Sequence, residues 1–354
     1  MYNIVLIGGT FGCNDEDKTG KKSSVVTKLS LLFNCSTING GNISRLREFN
    51  FNRLKPNTLL IWMPNISNAV EKILPRIKKE APHILLMISK RPDTAGFTRN
   101  DMIGKMLKAH AGLGLIISKK NEMFNFELMD PLGNTFSNTT DLNLLSIGIN
   151  ERYTYLSQMV RMPSLKLYYS DTFKVPKSFI ETVHVIGKEL NKHASAINPN
   201  RLFGNASTRC GFGFPAARYI KNRILVTRRN IEKSSIASDS FVNSMISPDG
   251  KEVLYMGDHK PSVDTPIQIK LFKKYPHINY MMHGHCYANV NAPMTEHFIP
   301  CGDLREVDDV INAIKNPSDR MIVNLRGHGF LMMGTEHEWM KFIPLVSLQE
   351  IDHG

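Results

Sequence analysis

The chain has 354 residues, 42% of them hydrophobic and 21% charged, with a formal net charge of +12. That length favours two domains over one core, and no apolar run approaches the span of a membrane helix. The five cysteines (Cys13, Cys35, Cys210, Cys286 and Cys301) are odd in number and never spaced as CxxC. This argues against a disulfide framework or a cysteine zinc site and points to a reducing, cytoplasmic compartment. Seven of the twelve excess positive charges fall in residues 1–150 and only two beyond residue 200. With no basic tail and no aromatic-interleaved basic stripe, the excess reads as a diffuse basic surface that attracts small anions; a nucleic-acid partner and a membrane partner are not expected.

In chain order, YNIVLIG, NTLLIWMP, HILLMIS and LGLIISKK are strand candidates. Between them SSVVTKLSLLF, SNAVEKILPRIKKE and RNDMIGKMLKAHAG suit amphipathic helices. Such alternation predicts a Rossmann-like parallel sheet over residues 1–150, with FNFELMD/PLGN adding an edge strand and a turn. The start MYNIVLIGGTFG has no basic leader and reads as a first strand. IGGTFG at 7–12 falls where a strand hands over to a loop, but it is neither GxGxxG nor a P-loop, so a tight turn is the simpler reading than a ligand site. Residues 151–200 read as a helical connector, from the periodicity of NERYTYLSQMVRM and SFIETVHVIGKELNKHA. Residues 201–354 form the last domain.

There the order of motifs is informative. LFGNASTR is followed by RILVTRRN, KPSVDTP, INYMMHGHCY, FIPCGDLREVDDVINAIK and MIVNLRGHG. His283 and His285 are one residue apart on what reads as a strand, so both side chains can share a face. His328 ends a later apolar segment between two glycines. Neutral imidazoles suit a divalent metal such as Zn²⁺, whose catalytic sites use three protein ligands and an open position. Asp264, nineteen positions before His283, opens a plausible helix with Pro266 near its start. An N-cap is therefore the plain structural reading of that carboxylate.

Over residues 200–335 this set resembles the class II aldolase/adducin family, whose sugar-phosphate aldolases and epimerases share one α/β fold. The resemblance implies a class II aldolase-like α/β domain in which His283, His285 and His328 hold the metal. It casts Asp264 as the general base that takes or returns a proton during enediolate chemistry, with DTP closer to the 4-epimerase branch. Gly204, Asn205, Arg229, Asn230 and Ser262 stand where the family binds the substrate's anionic end. Arg229 and Asn230 replace a hydroxyl residue and a glycine there, and Val263 replaces a second serine. The 43 positions between His285 and His328 are fewer than in the sugar-phosphate enzymes, and the helix that usually carries a catalytic tyrosine is expected to be truncated. Tyr287 is the nearest phenol, either an acid or a packed side chain.

The implied function is a zinc-dependent lyase performing retro-aldol cleavage, or related chemistry, on a phosphorylated or otherwise anionic sugar-like substrate, in a homo-oligomer. A 4-epimerase or dehydratase on the same scaffold and a non-catalytic adducin-like binding protein are the alternatives. The family's non-catalytic relatives typically lose the metal histidines, whereas all three are present here.

Overall fold

The computed structural model describes residues 3–8, 24–39, 49–63, 70–91, 96–120, 123–168, 174–194, 204–209, 223–288 and 291–342. Chain contacts divide it into two compact units, Met1–Gln158 and Met159–Asp352.

The first unit holds a seven-stranded sheet in the order β2-β1-β3-β4-β5-β6-β7. Strands β1 (Ile4–Gly8), β2 (Ser36–Asn39), β3 (Leu59–Trp62), β4 (Leu85–Lys90) and β5 (Leu113–Lys120) are mutually parallel. Apart from β2, whose Thr37 and Ile38 are half-buried, their interior residues, Leu59 to Trp62 among them, are almost wholly buried, as continuous apolar runs require when helices cover both faces. Helices α1 (Ser24–Leu32), α2 (Val70–Glu80) and α3 (Arg99–Ala109) occupy the predicted helical segments. A capping box between Thr98 and Asp101 starts α3, and His110 in the left-handed conformation ends it. β6 (Met123–Met129) and β7 (Thr135–Thr139) extend the sheet antiparallel.

One expectation changes here. β6 is not the edge strand, because β7, a short polar strand without an apolar signal, pairs outside it. The IGGTFG stretch ends β1 at Gly8, and its remaining residues lie outside the described ones.

The expected connector 151–200 is shared between the units. Its first residues complete α4 (Leu142–Ser157), which Asp141 caps through the Asn143 amide and which lies in the first unit. The rest provides β8 (Ser164–Leu167) and α5 (Lys177–Ala194) of the second. The periodic apolar face of α5 accounts for this, since Phe179, Val183, Ile186 and Leu190 are all buried in that unit's core.

The second unit is an eight-stranded sheet in the order β14-β15-β13-β9-β10-β11-β12-β8, antiparallel except for the β12–β8 pair. The strands are β9 (Asn205–Arg209), β10 (Arg223–Thr227), β11 (Phe241–Ile246), β12 (Val253–Met256), β13 (Tyr280–Gly284), β14 (Arg320–Leu325) and β15 (Gly329–Gly334). Strand alternation separates two cores. Ala206, Leu225, Met282 and Met332 pack with α5. Ile224, Val226, Met281, Leu331 and Met333 pack against α6 (Thr265–Lys274) and α7 (Arg305–Ala313) on the other side. His283 follows the parity of Met281 and pairs across the ladders with Asn205 and Leu331. All three therefore face the α6/α7 side, at the end of the sheet.

Two glycines make this sheet end possible. Gly204 has φ +83, and a Cβ there would lie 2.3 Å from the His283 carbonyl oxygen. Gly329 has φ +146, and a Cβ would lie 1.9 Å from the Gly284 carbonyl oxygen. Neither contact tolerates a side chain, and neither backbone conformation suits an L-residue. Gly329→Ala is accordingly expected to destabilise the C-terminal unit by on the order of 3 kcal/mol, read by denaturant unfolding, because strain and backbone collision act together.

Candidate metal centre

Three imidazoles from two chain segments meet at the end of β13. His283 is its penultimate residue, whereas His285 lies just past the strand, in a bend. The alternation nevertheless carries past the strand end, since Met282, Cys286 and Ala288 all pack in the core with α5, and His283 and His285 converge as the sequence pattern suggested. His328 comes from the tight turn between β14 and β15, closed by the His328 amide donating to the Leu325 carbonyl at 2.9 Å. One ligand atom from each imidazole lies within 4.8 Å of the others, and the ring centroids are 4.8 to 5.0 Å apart.

The hydrogen bonds orient these rings. His283 Nδ1 lies 2.8 Å from the Phe330 carbonyl oxygen, an acceptor only, so Nδ1 carries the proton. Its Nε2 is buried and has no hydrogen-bond partner, the one such imidazole nitrogen among the described residues. A lone pair buried without a donor is costly unless something else occupies it. Burial, reinforced by His328, depresses the His283 pKa to about 4, so the ring is neutral at neutral pH. His328 Nδ1 lies 2.8 Å from Glu306 Oε2, and its Nε2 lies 3.1 Å from Cys301 Sγ. Burial opposes charge on His328, but Cys301 and Glu306 outweigh it and hold its pKa well above the usual imidazole value. Burial also raises the pKa of Glu306, which is 4% exposed in the first turn of α7.

Asp264 occupies the N-cap position of α6, yet its side chain makes no capping hydrogen bond. Instead Oδ2 accepts from Asn205 Nδ2 at 2.9 Å and Oδ1 from the Gly302 amide at 2.9 Å, with Ser262 Oγ at 3.4 Å from Oδ2. Asn205 Nδ2 also reaches Ser262 Oγ at 3.1 Å, and Gln268 Nε2 donates to Asn205 Oδ1. Both carboxylate oxygens of Asp264 are thus fixed by the fold, while capping is left to backbone and to Pro266.

The residues expected to bind an anion adjoin this network and divide into two kinds. Asn205 and Ser262 are spent largely on holding Asp264. Arg229 and Asn230 are exposed on the turn after β10, Asn230 with φ +56. That turn is laced to the segment before Asp264: the Arg229 amide donates to the Lys260 carbonyl and Arg229 Nε to the Pro261 carbonyl, at 3.0 and 2.9 Å. Tyr287 lies beyond β13, and its hydroxyl accepts from the Gly327 amide at 3.0 Å beside His328.

Sequence reasoning missed Glu306, Cys301, the Gly302 amide and Lys233. Lys233 is 3% exposed on the short helical turn Lys233–Ser235. Burial lowers its pKa to about 8, with Glu232 and Asp264 opposing. Its carboxylate neighbour turns elsewhere, Glu232 Oε1 accepting from Ser234 and Asn191. No spacing rule marks any of these four; the acidic start of REVDDV was the single usable hint, for Glu306.

Residues 199–339, less than half of the chain, match the family model of the Class II Aldolase and Adducin N-terminal domain. Among solved structures, an L-fuculose 1-phosphate aldolase is similar over 49% of this chain and 84% of its own, at 15% identity and a TM-score of 0.35. The N-terminal class II aldolase domain of a conserved protein from Thermoplasma acidophilum is similar over 51% of this chain and 94% of its own, at 18% identity and a TM-score of 0.33. No curated protein matches the chain significantly in sequence.

Asp264→Asn leaves a single acceptor oxygen for two fixed donors, the Gly302 amide and Asn205 Nδ2. The variant is expected to lose about 1–3 kcal/mol of stability, measured by urea unfolding.

Proposed function

With residues 199–339 carrying a class II aldolase/adducin domain, we propose that this part of the chain is a divalent-metal-dependent lyase. Its reaction would be retro-aldol cleavage of a small hydroxy-carbonyl compound bearing a phosphate or similar anionic group. The observation that carries the reading is the convergence of His283, His285 and His328, with His283 Nδ1 tied to a carbonyl and its buried Nε2 left without a partner. Fixing one ring nitrogen so that the other presents its lone pair is how proteins prepare a histidine ligand, and Glu306 does the same for His328. Three imidazoles suit zinc, although other divalent ions accept the same set. Such an ion, when bound, supplies Lewis-acid polarisation of a substrate oxygen.

The chain's own residues divide the remaining work. Asp264 is the general base, and the reading rests on its burial and on the two donors that aim it. In the cleavage direction its carboxylate takes the proton of the substrate hydroxyl; in the reverse direction it returns that proton. Arg229 and Asn230, exposed on the turn after β10, would receive the anionic end, a guanidinium being well matched to phosphate oxygens. The buried ammonium of Lys233 adds positive charge within electrostatic reach of Asp264 and His283. The Tyr287 hydroxyl beside His328 favours, as a second reading, a 4-epimerase or dehydratase in which the phenol serves as acid. Three free thiols among the described residues, Cys35, Cys286 and Cys301, support a reducing, cytoplasm-like setting. No described helix is long and apolar enough to cross a membrane. A homo-oligomer remains part of the proposal on the family resemblance.

Elemental analysis tests the reading directly. Purified wild type is expected to hold about one divalent ion per chain and His285→Ala to lose it. Wild type without metal after reconstitution would sink the lyase. Glu306→Gln is expected to weaken metal affinity about 10- to 100-fold, measured by competition with a chelator, because His328 loses the carboxylate that orients it. Once a cleaved sugar phosphate is identified, Asp264→Asn is expected to lower kcat about 10²- to 10⁴-fold while leaving the metal content intact.

A further inference from the structure

The thiol at Cys301 stands on the metal-facing side of His328. His328 Nδ1 is engaged by Glu306, so Nε2 is the nitrogen left for coordination, and Cys301 Sγ lies 3.1 Å from it. This sulfur is not on a loose arm. The Asp303 amide donates to the Pro300 carbonyl, closing a turn around Cys301, and Gly302 has φ +76. The Gly302 amide is tied to Asp264 Oδ1, so the peptide next to Cys301 is anchored to the same carboxylate that adjoins the histidines. Independently, the buried, unpartnered Nε2 of His283 marks a space that protein hydrogen bonds do not fill.

We propose that Cys301 is a fourth protein ligand, making the resting centre a three-histidine, one-cysteine set. The proposal rests on the metal-dependent reading above and deepens it. A nitrogen and a sulfur bound tetrahedrally to one zinc, at about 2.0–2.1 and 2.3 Å, lie about 3.5 Å apart, so the contact with His328 needs only a small outward adjustment. Sγ stands outside the cluster formed by His283, His285 and His328, and closes on the other two rings when the ion binds. As the sulfur–metal bond forms, the thiol proton leaves to solvent and the ligand is the thiolate. Cys286, although adjacent to His285 on the chain, is no competitor: it packs in the apolar core with α5, and burial pushes its thiol to about 12. With four protein ligands the resting ion has no open position, so an oxygen ligand from substrate enters by displacing Cys301. The thiolate also biases the site toward softer ions such as zinc over magnesium or calcium.

Cobalt(II) provides a test that needs no substrate. The metal-free full-length protein is titrated with cobalt(II), alongside Cys301→Ser and Cys286→Ser. Wild type and Cys286→Ser are expected to show the visible bands of a tetrahedral cobalt site together with an intense near-ultraviolet sulfur-to-cobalt band. Cys301→Ser is expected to keep visible bands and lose the sulfur band, which shows that the site has folded and that only the sulfur has gone. Visible bands without a sulfur band in wild type, or a sulfur band that persists in Cys301→Ser, would overturn this proposal while sparing the three-histidine centre. No cobalt uptake by wild type would overturn both.

Discussion

The hydrogen bond from His283 Nδ1 to the Phe330 carbonyl is the interaction around which the C-terminal unit is arranged. For it to exist, β15 must run beside β13 in one register, with His283 opposite Leu331 and Gly284 opposite Phe330. That register brings the turn carrying His328 back to the end of β13, where only a glycine at 329 fits against the Gly284 carbonyl. On the other side β9 pairs His283 with Asn205, and Gly204 permits the same close approach there. One strand thus delivers a histidine, fixes its tautomer, and sets both of its neighbours.

The second layer of organisation is the carboxylate pair, Asp264 and Glu306, one at the start of each helix covering that face of the sheet. Both are buried, and each finds partners that justify the burial: backbone and amide donors for Asp264, an imidazole for Glu306. The two are linked by the short segment Cys301–Gly302, whose sulfur meets His328 and whose amide meets Asp264. Buried polar groups of this density are high in cost unless almost every one is satisfied. The imidazole nitrogen that stays unsatisfied, His283 Nε2, is therefore the atom that speaks most directly for a bound ion.

The first unit is built on different terms. Its parallel strands, β2 excepted, are buried on both faces and carry little polar chemistry in their interiors. Strand order 2-1-3-4-5 places a topological switch beside β1, the position where open α/β sheets collect ligands in a crevice. The loop that leaves β1 after Gly8 lies outside the described residues.

Much of the fold was legible because its signals are local. Continuous apolar runs such as LLIW and LLMIS, short and alternating with amphipathic segments, read as buried strands in a sheet covered on both faces, and α5 announces itself by its apolar period. Polar or very short strands such as β2, β7 and β8 gave no such signal, because their pairing is decided by neighbours already in place. For the site, the order of motifs and its resemblance to the class II aldolase/adducin family raised the three histidines, Asp264 and the glycine at 204. What the chain could not show is which atoms face which. Asp264 sits at an N-cap and does not cap; Asn205 and Ser262 hold a carboxylate; Glu306 and Cys301 close on His328. Those facts depend on contacts between segments up to 59 positions apart, and only packing β9, β13 and the β14–β15 turn against α6 and α7 brings them within hydrogen-bond range.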